Sequence, residues 1–108
     1  MTLNEYQLAI DKFAIHPPGH EGRLYCALKL AGEAGEVSEK FGKLLRGDYI
    51  YNPDFRASIT KELGDVLWAV ARLAWLMDVP LDEVARMNID KLTSRLERGV
   101  IRGSGDER

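Results

Sequence analysis

Four acidic residues stand in two pairs of the same spacing: Glu33 and Glu36 in Glu33-Ala34-Gly35-Glu36, and Glu62 and Asp65 in Glu62-Leu63-Gly64-Asp65. Residues three apart on an α-helix share a face, so each pair aims two carboxylates in one direction. Two such helices packed antiparallel bring both pairs to one point. Carboxylates without a nearby histidine or cysteine form a hard-oxygen donor set suited to Mg²⁺, with Mn²⁺ as its substitute. Surface ion pairs offer a competing account, because Lys29–Glu33, Glu36–Lys40 and Lys61–Asp65 are each spaced four apart. Glu62 resists that account: on the helical wheel it projects between Ala69 and Leu73, where a carboxylate needs a metal, a lysine or an arginine to offset burial.

Two further features accompany the acids. Gly32, Gly35 and Gly64 lie beside them within helical segments, although glycine costs about 1 kcal/mol against alanine there. Close helix packing and room for a ligand both explain them. Asn88, Lys91 and Arg95, spaced three and four apart, form a polar stripe at the edge of an apolar face. Such a stripe either reaches phosphate oxygens or snorkels over the core.

The elements that must position these residues are helices. Thr2 and Glu5 have capping-box spacing, and Leu3, Tyr6, Ile10 and Phe13 recur at helical period, predicting a first helix over 3–14. Pro17, Pro18 and Gly19 end it, leaving His16 and His20 in a loop over 15–22. A second helix is expected over 23–46, a linker over 47–55, a third helix over 56–77 and a fourth over 81–98. Residues 99–108, with Gly103, Ser104 and Gly105, read as a flexible arm after a helical domain over 1–98. The third helix is unusual. From Val66 to Met77 only Arg72 is charged, so the apolar side chains run all the way round it. A helix of that kind is buried on every side, which three other helices of a short chain hardly accomplish. A dimer or dimer of dimers is therefore expected.

Composition narrows the classes. The 108 residues, with 17 acids against 15 bases, form one ordinary domain with no basic block. That disfavours a nucleic-acid partner. The single cysteine, Cys26, excludes a disulfide framework or paired-cysteine zinc site and reads as a packed core thiol. No apolar stretch is long enough for a bilayer and no leader pattern is evident, so the expected compartment is the cytoplasm.

The run Leu30-Ala31-Gly32-Glu33-Ala34-Gly35-Glu36-Val37-Ser38-Glu39, followed by Lys61-Glu62-Leu63-Gly64-Asp65-Val66-Leu67-Trp68, resembles the MazG-like all-α nucleoside triphosphate pyrophosphohydrolases. Their pattern is ExxE, a spacer and ExxD, and the 25 residues between Glu36 and Glu62 suit it. Asn88-Ile89-Asp90-Lys91-Leu92 and Arg95 resemble the family as well, and the ending from Arg98 to Asp106 is similar to short phage and bacterial members. One departure is Gly32, where many members carry a further glutamate; Glu39 stands ready to substitute. The resemblance implies an all-α four-helix bundle that hydrolyses a nucleoside triphosphate to the monophosphate and pyrophosphate. It implies a cytoplasmic enzyme, acting in the host where the gene is a phage's. Glu33, Glu36, Glu62 and Asp65 would hold Mg²⁺, and Glu36 or Glu39 would position the water. Asn88, Lys91 and Arg95 would meet the phosphates or sugar. Tyr25 and His16 are candidates for contacting the base, whereas Trp68 and Trp75 read as core or interface.

Two rivals are weaker. An oxygen-activating di-metal bundle needs Glu-x-x-His pairs, and neither histidine is so placed. A non-catalytic interaction module docking through the third helix leaves Glu62 unexplained.

Overall fold

Short-range chemistry sets most of the element boundaries. The Thr2 hydroxyl accepts from the Glu5 amide at 3.0 Å while the Glu5 carboxylate accepts from the Thr2 amide at 2.7 Å, opening helix α1 (Leu3–Ala9) with a complete capping box. Helix α2 (Gly19–Arg46) ends at Gly47, whose φ of 93° lets the chain turn left-handed. Asn52 caps helix α3 (Pro53–Leu76), its side-chain oxygen accepting from Phe55 at 2.8 Å, with Pro53 in the first turn where no donor is needed. Helix α4 (Leu81–Glu97) follows Pro80, with Asp82 and Glu83 in its first turn. The computed structural model describes residues 1–108 and contains these four helices, one short 3-10 turn and no strand.

Three boundaries differ from expectation. The first helix stops at Ala9 rather than near residue 14, and Asp11–Phe13 tighten into the 3-10 turn. There Asp11 pairs with Arg72 of α3 at 2.7 Å, so a tertiary contact and not helical period directs the chain. Helix α2 begins at Gly19, not near residue 23, and takes His20 out of the predicted loop. Pro18 is extended at its N-cap, since proline obstructs helix interiors and not helix starts. Helix α3 likewise begins earlier, at Pro53.

Helices α2 and α3 form a long antiparallel hairpin. Phe41 meets Phe55 edge-on at 5.4 Å near the connection, Lys40 crosses to Ser58 and Glu62, and Lys29 lies 5.7 Å over the Trp68 ring. At the far end α1 and the start of α4 close over α3. Ile10, Ala71 and Leu81 make the core there, with Tyr6, Trp68 and Val70 packed around them. Gln7 ties the three helices: its amide nitrogen donates to the carbonyls of Ala71 (3.2 Å) and Val79 (3.0 Å), and its oxygen accepts from the Leu81 amide (2.9 Å).

The single chain is splayed. Its Cα radius of gyration is 16.6 Å, against about 13 Å for a compact domain of roughly 100 residues. Only 12 of the 108 residues are buried. Leu63 and Leu67 of α3, and Met87, Ile89, Leu92 and Leu96 of α4, remain exposed. As the sequence anticipated, the other helices do not cover α3. No helix is long and apolar enough to cross a membrane.

Gln7 generates a test. Replacing it with methionine keeps its length but strands a buried carbonyl and the Leu81 amide, each costing about 1–3 kcal/mol. Urea denaturation at fixed protein concentration is expected to show a loss of about 2–4 kcal/mol. A loss below about 1 kcal/mol would mean that Gln7 does not hold the three helices together.

Candidate functional site

The hairpin aligns two polar stripes. On α2, Lys29, Glu33, Glu36 and Lys40 recur at spacings of four, three and four; on α3, Ser58, Glu62, Asp65, Trp68 and Arg72 do the same at four, three, three and four. Residues at these spacings follow one helix face, and the antiparallel register sets the two faces against each other. One carboxylate oxygen from each of Glu33, Glu36, Glu62 and Asp65 lies within 4.8 Å of the others. The geometry thus brings together all four acids picked out by the paired spacing.

Two lysines bracket them. Lys29 Nζ donates to Glu33 Oε1 at 2.9 Å. Lys40 Nζ donates to Glu62 Oε1 at 2.8 Å and to the Ser58 hydroxyl at 2.6 Å. Of the three pairs open to a surface reading, Lys29–Glu33 forms, Lys40 bypasses Glu36 to cross the hairpin, and Lys61–Asp65 does not form. The lysines satisfy only one oxygen each. Glu33 Oε2 and Glu62 Oε2 are buried without any hydrogen-bond partner, which costs a carboxylate at least about 1–3 kcal/mol. Two orphan oxygens, four carboxylates in close range and no nitrogen or sulfur donor suit a hard divalent cation.

Crowding also moves the acids apart in proton affinity. The close approach of Glu62, then the charge of Glu33, holds the Glu36 carboxyl above the usual range. The Lys40 hydrogen bond, then the proximity of Glu36, holds Glu62 below it. Glu33 and Glu62 in turn push Lys29 and Lys40 upward, so both ammonium groups stay charged.

Beside the carboxylates lies a cavity of about 290 Å³, lined by Phe13, Ile15, Tyr25, Lys29, Asp65 and Trp68. Tyr25 therefore stands where a ligand beside the acids would touch it. His16 does not line the cavity; its ring sits 6.2 Å from Tyr25, with Nδ1 on the Pro17 carbonyl at 2.7 Å and Nε2 accepting from Arg72 at 2.9 Å. Trp68 packs against the core and also forms a cavity wall. The sequence signal for that wall was present, since Trp68 lies three residues beyond Asp65 on the same face.

Other expected residues lie elsewhere. Glu39 faces Lys43 at 3.1 Å, outside the four-acid group. Asn88, Lys91 and Arg95 make no hydrogen bond or ion pair with the acids. Instead the arm after Gly99 folds back: Asp106 stands 3.7 Å from Lys91 and 3.5 Å from Arg95, whose Nη2 also donates to the Asp106 carbonyl at 2.8 Å. Arg95 is buried and its Nε has no partner. Around Gly32, Gly35 and Gly64 an added Cβ meets nothing within 4 Å. Close packing within the chain does not explain these glycines, so they leave open space along the hairpin. Cys26 is fully buried, and burial raises its thiol pKa, as a packed inert thiol requires.

Comparison with known proteins agrees with this geometry. The model of the MazG nucleotide pyrophosphohydrolase domain matches residues 23–100. The chain belongs to that family. The match spans most of α2 and all of α3 and α4, and so includes both acidic pairs. The chain is also 44% identical, over 114 aligned positions covering all of both proteins, to the Gene 37 protein of Mycobacterium phage L5. No solved structure matches it. Within the MazG family frame, the first helix, the loop after it and the first turn of α2 lie outside the matched region, although Phe13 and Ile15 from that part wall the cavity.

The carboxylate crowding predicts a stability trade. A carboxyl whose pKa is raised on folding contributes stability below its unfolded pKa and loses it as pH rises through the folded value. At neutral pH and without divalent ions Glu36 therefore weakens the fold, and Glu36→Gln is expected to raise Tm. The gain shrinks as pH falls into the carboxylate range. Thermal melts of both proteins between pH 4 and 8 in chelator test this, and a lower Tm for Glu36→Gln at neutral pH would refute it.

Proposed function

We propose that the protein hydrolyses a nucleoside or deoxynucleoside triphosphate at the α-phosphate, yielding the monophosphate and pyrophosphate, in control of the nucleotide pool. The observation that carries this reading is the convergence of Glu33, Glu36, Glu62 and Asp65 with two buried, unpartnered carboxylate oxygens, in a chain of the MazG family. Those four residues would hold Mg²⁺, which would supply Lewis-acid polarisation of the phosphate and make the attacking water easier to deprotonate. Of the two acids open as general base, Glu36 is the better placed. It belongs to the four-acid group, whereas Glu39 faces Lys43 outside it. Lys29 and Lys40 hold Glu33 and Glu62 in position.

The cavity of Phe13, Ile15, Tyr25 and Trp68 receives the base, since aromatic faces stack on nucleobases and Asp65 of the four-acid group lines the same cavity. His16 supports it from behind. Asn88, Lys91 and Arg95 bind phosphate or sugar oxygens from a second copy of the chain, because on their own chain they stand apart from the acids. The exposed apolar faces of α3 and α4 favour a dimer or a dimer of dimers. The enzyme acts in the cytoplasm, and the mycobacteriophage relative fits a phage-encoded protein.

Incubation with each nucleoside triphosphate and Mg²⁺, with products resolved, tests the bond cleaved. Pyrophosphate is expected; orthophosphate would sink the proposal. Glu62→Gln is expected to lower kcat by at least about 10²-fold and to remove the rise in Tm that Mg²⁺ or Mn²⁺ gives the native protein. Unchanged activity in that variant would dissociate Glu62 from the site. Light scattering at micromolar concentration is expected to give a dimeric or tetrameric mass, and a monomer would overturn the assembly.

A further inference from the structure

Arg72 is the one charge in the apolar run of α3, and neither the carboxylate site nor the phosphate-binding stripe uses it. Its side chain is almost entirely buried, yet both its bonds reach the same short segment. Nη1 donates to Asp11 Oδ1 at 2.7 Å and Nε donates to His16 Nε2 at 2.9 Å. Asp11 and His16 bracket Phe13 and Ile15, two walls of the cavity beside Asp65. On α3, Asp65, Trp68 and Arg72 follow one face at spacings of three and four. One stripe thus carries an acid of the candidate site, an aromatic cavity wall and the anchor of a second segment that lines the same cavity.

The anchor is built for one geometry. An imidazole that accepts at Nε2 carries its proton at Nδ1, and Nδ1 lies 2.7 Å from the Pro17 carbonyl that accepts it. The planar guanidinium fork holds two partners at fixed directions, which an ammonium cannot. Gly22 completes the fit: a Cβ there would overlap the Pro17 carbonyl and crowd the His16 ring, so only glycine lets the loop close on α2.

We propose that Arg72 is a positioning residue for base selection, holding the segment 11–16 so that Phe13 and Ile15 face Tyr25 and Trp68 at a fixed separation. This rests on the cavity being the base subsite of the proposed reaction. A loosened wall admits bases of different size with similar, weaker affinity, while the carboxylates are untouched. The effect therefore falls on KM and on the ratio of kcat/KM between bases, not on the rate at saturation.

The test pairs nucleoside monophosphates, as binding probes, with triphosphate kinetics. In the native protein, titration with the four common monophosphates is expected to shift the Trp68 indole N–H resonance, strongest for one base. Arg72→Met is expected to weaken that binding about tenfold and to flatten the preference. For the triphosphates KM rises comparably and kcat changes by less than about twofold. Arg72→Lys, which keeps charge without the fork, falls between. Should Arg72→Met fail to fold, Asp11→Ala removes one anchor at an exposed side chain and is expected to move KM in the same direction. Unchanged affinities and preference in the variants would overturn the proposal, as would a native protein whose Trp68 responds to no monophosphate. Hydrolysis assays separate that failure from failure of the proposed reaction, because pyrophosphate release does not depend on where the base sits.

Discussion

The structure is organised around mutual repulsion. Four carboxylates within 4.8 Å of one another are an arrangement that folding alone disfavours, since two unit charges about 5 Å apart repel by roughly 3 kcal/mol at an effective dielectric near 20. A flexible scaffold would simply let them separate. They stay together because each pair is fixed on its own helix and the two helices are locked in register at both ends. Near the connection Phe41, Tyr49 and Tyr51 gather around Phe55. At the far end Gln7 and the Ile10–Ala71–Leu81 core bind α3 to α1 and α4. Lys29 and Lys40 then remove part of the repulsion without filling the space between the acids.

That economy leaves the chain short of a core. Long stretches of α2 and α3 are committed to presenting polar side chains to each other, so fewer positions remain for apolar burial. The apolar surface persists on the outer faces of α3 and α4, where Leu63, Leu67, Met87, Ile89, Leu92 and Leu96 meet solvent. Each such side chain is worth about 1.5–3 kcal/mol when fully buried, and a second copy is the simplest source of cover. The open space over Gly32, Gly35 and Gly64 belongs to the same picture, because these glycines give up helix stability without gaining a contact inside the chain.

What was legible in the sequence was local. The cap at Thr2, the stop at Gly47 and the paired acids all act over three or four residues, and all are present as the sequence indicated, whereas the cap at Asn52 lies inside what the sequence suggested was a linker. The need to satisfy Glu62 was legible too, but not which cation would do so. Lys40 is four residues from Glu36 and was equally able to pair there; only the register of the hairpin sends it across to Glu62. The same limit explains the ends of α1 and α2. Asp11 leaves the helical path for Arg72, a partner 61 residues away, and no periodicity within α1 announces that contact. Arg72 itself read as an interruption of an apolar helix, because its two partners lie in a loop whose path local rules do not set.

Charge balance connects the site with its proposed substrate. Taken with all groups ionised, four carboxylates and two lysines leave the cluster with two excess negative charges, which one divalent cation balances. A nucleoside triphosphate brings several more. In the proposed reaction, repulsion would keep the polyphosphate away from the metal-free acids and so link cation binding to substrate binding. The cation-bearing α4 does not relieve this within one chain, since Lys91 and Arg95 are turned to Asp106 of the folded-back arm. For those two cations to face phosphate, Asp106 must give way to it or a second subunit must present a different surface. The first route would make the arm part of the proposed site's charge balance, although it lies at the opposite end of the sequence from the loop that walls the cavity beside Asp65.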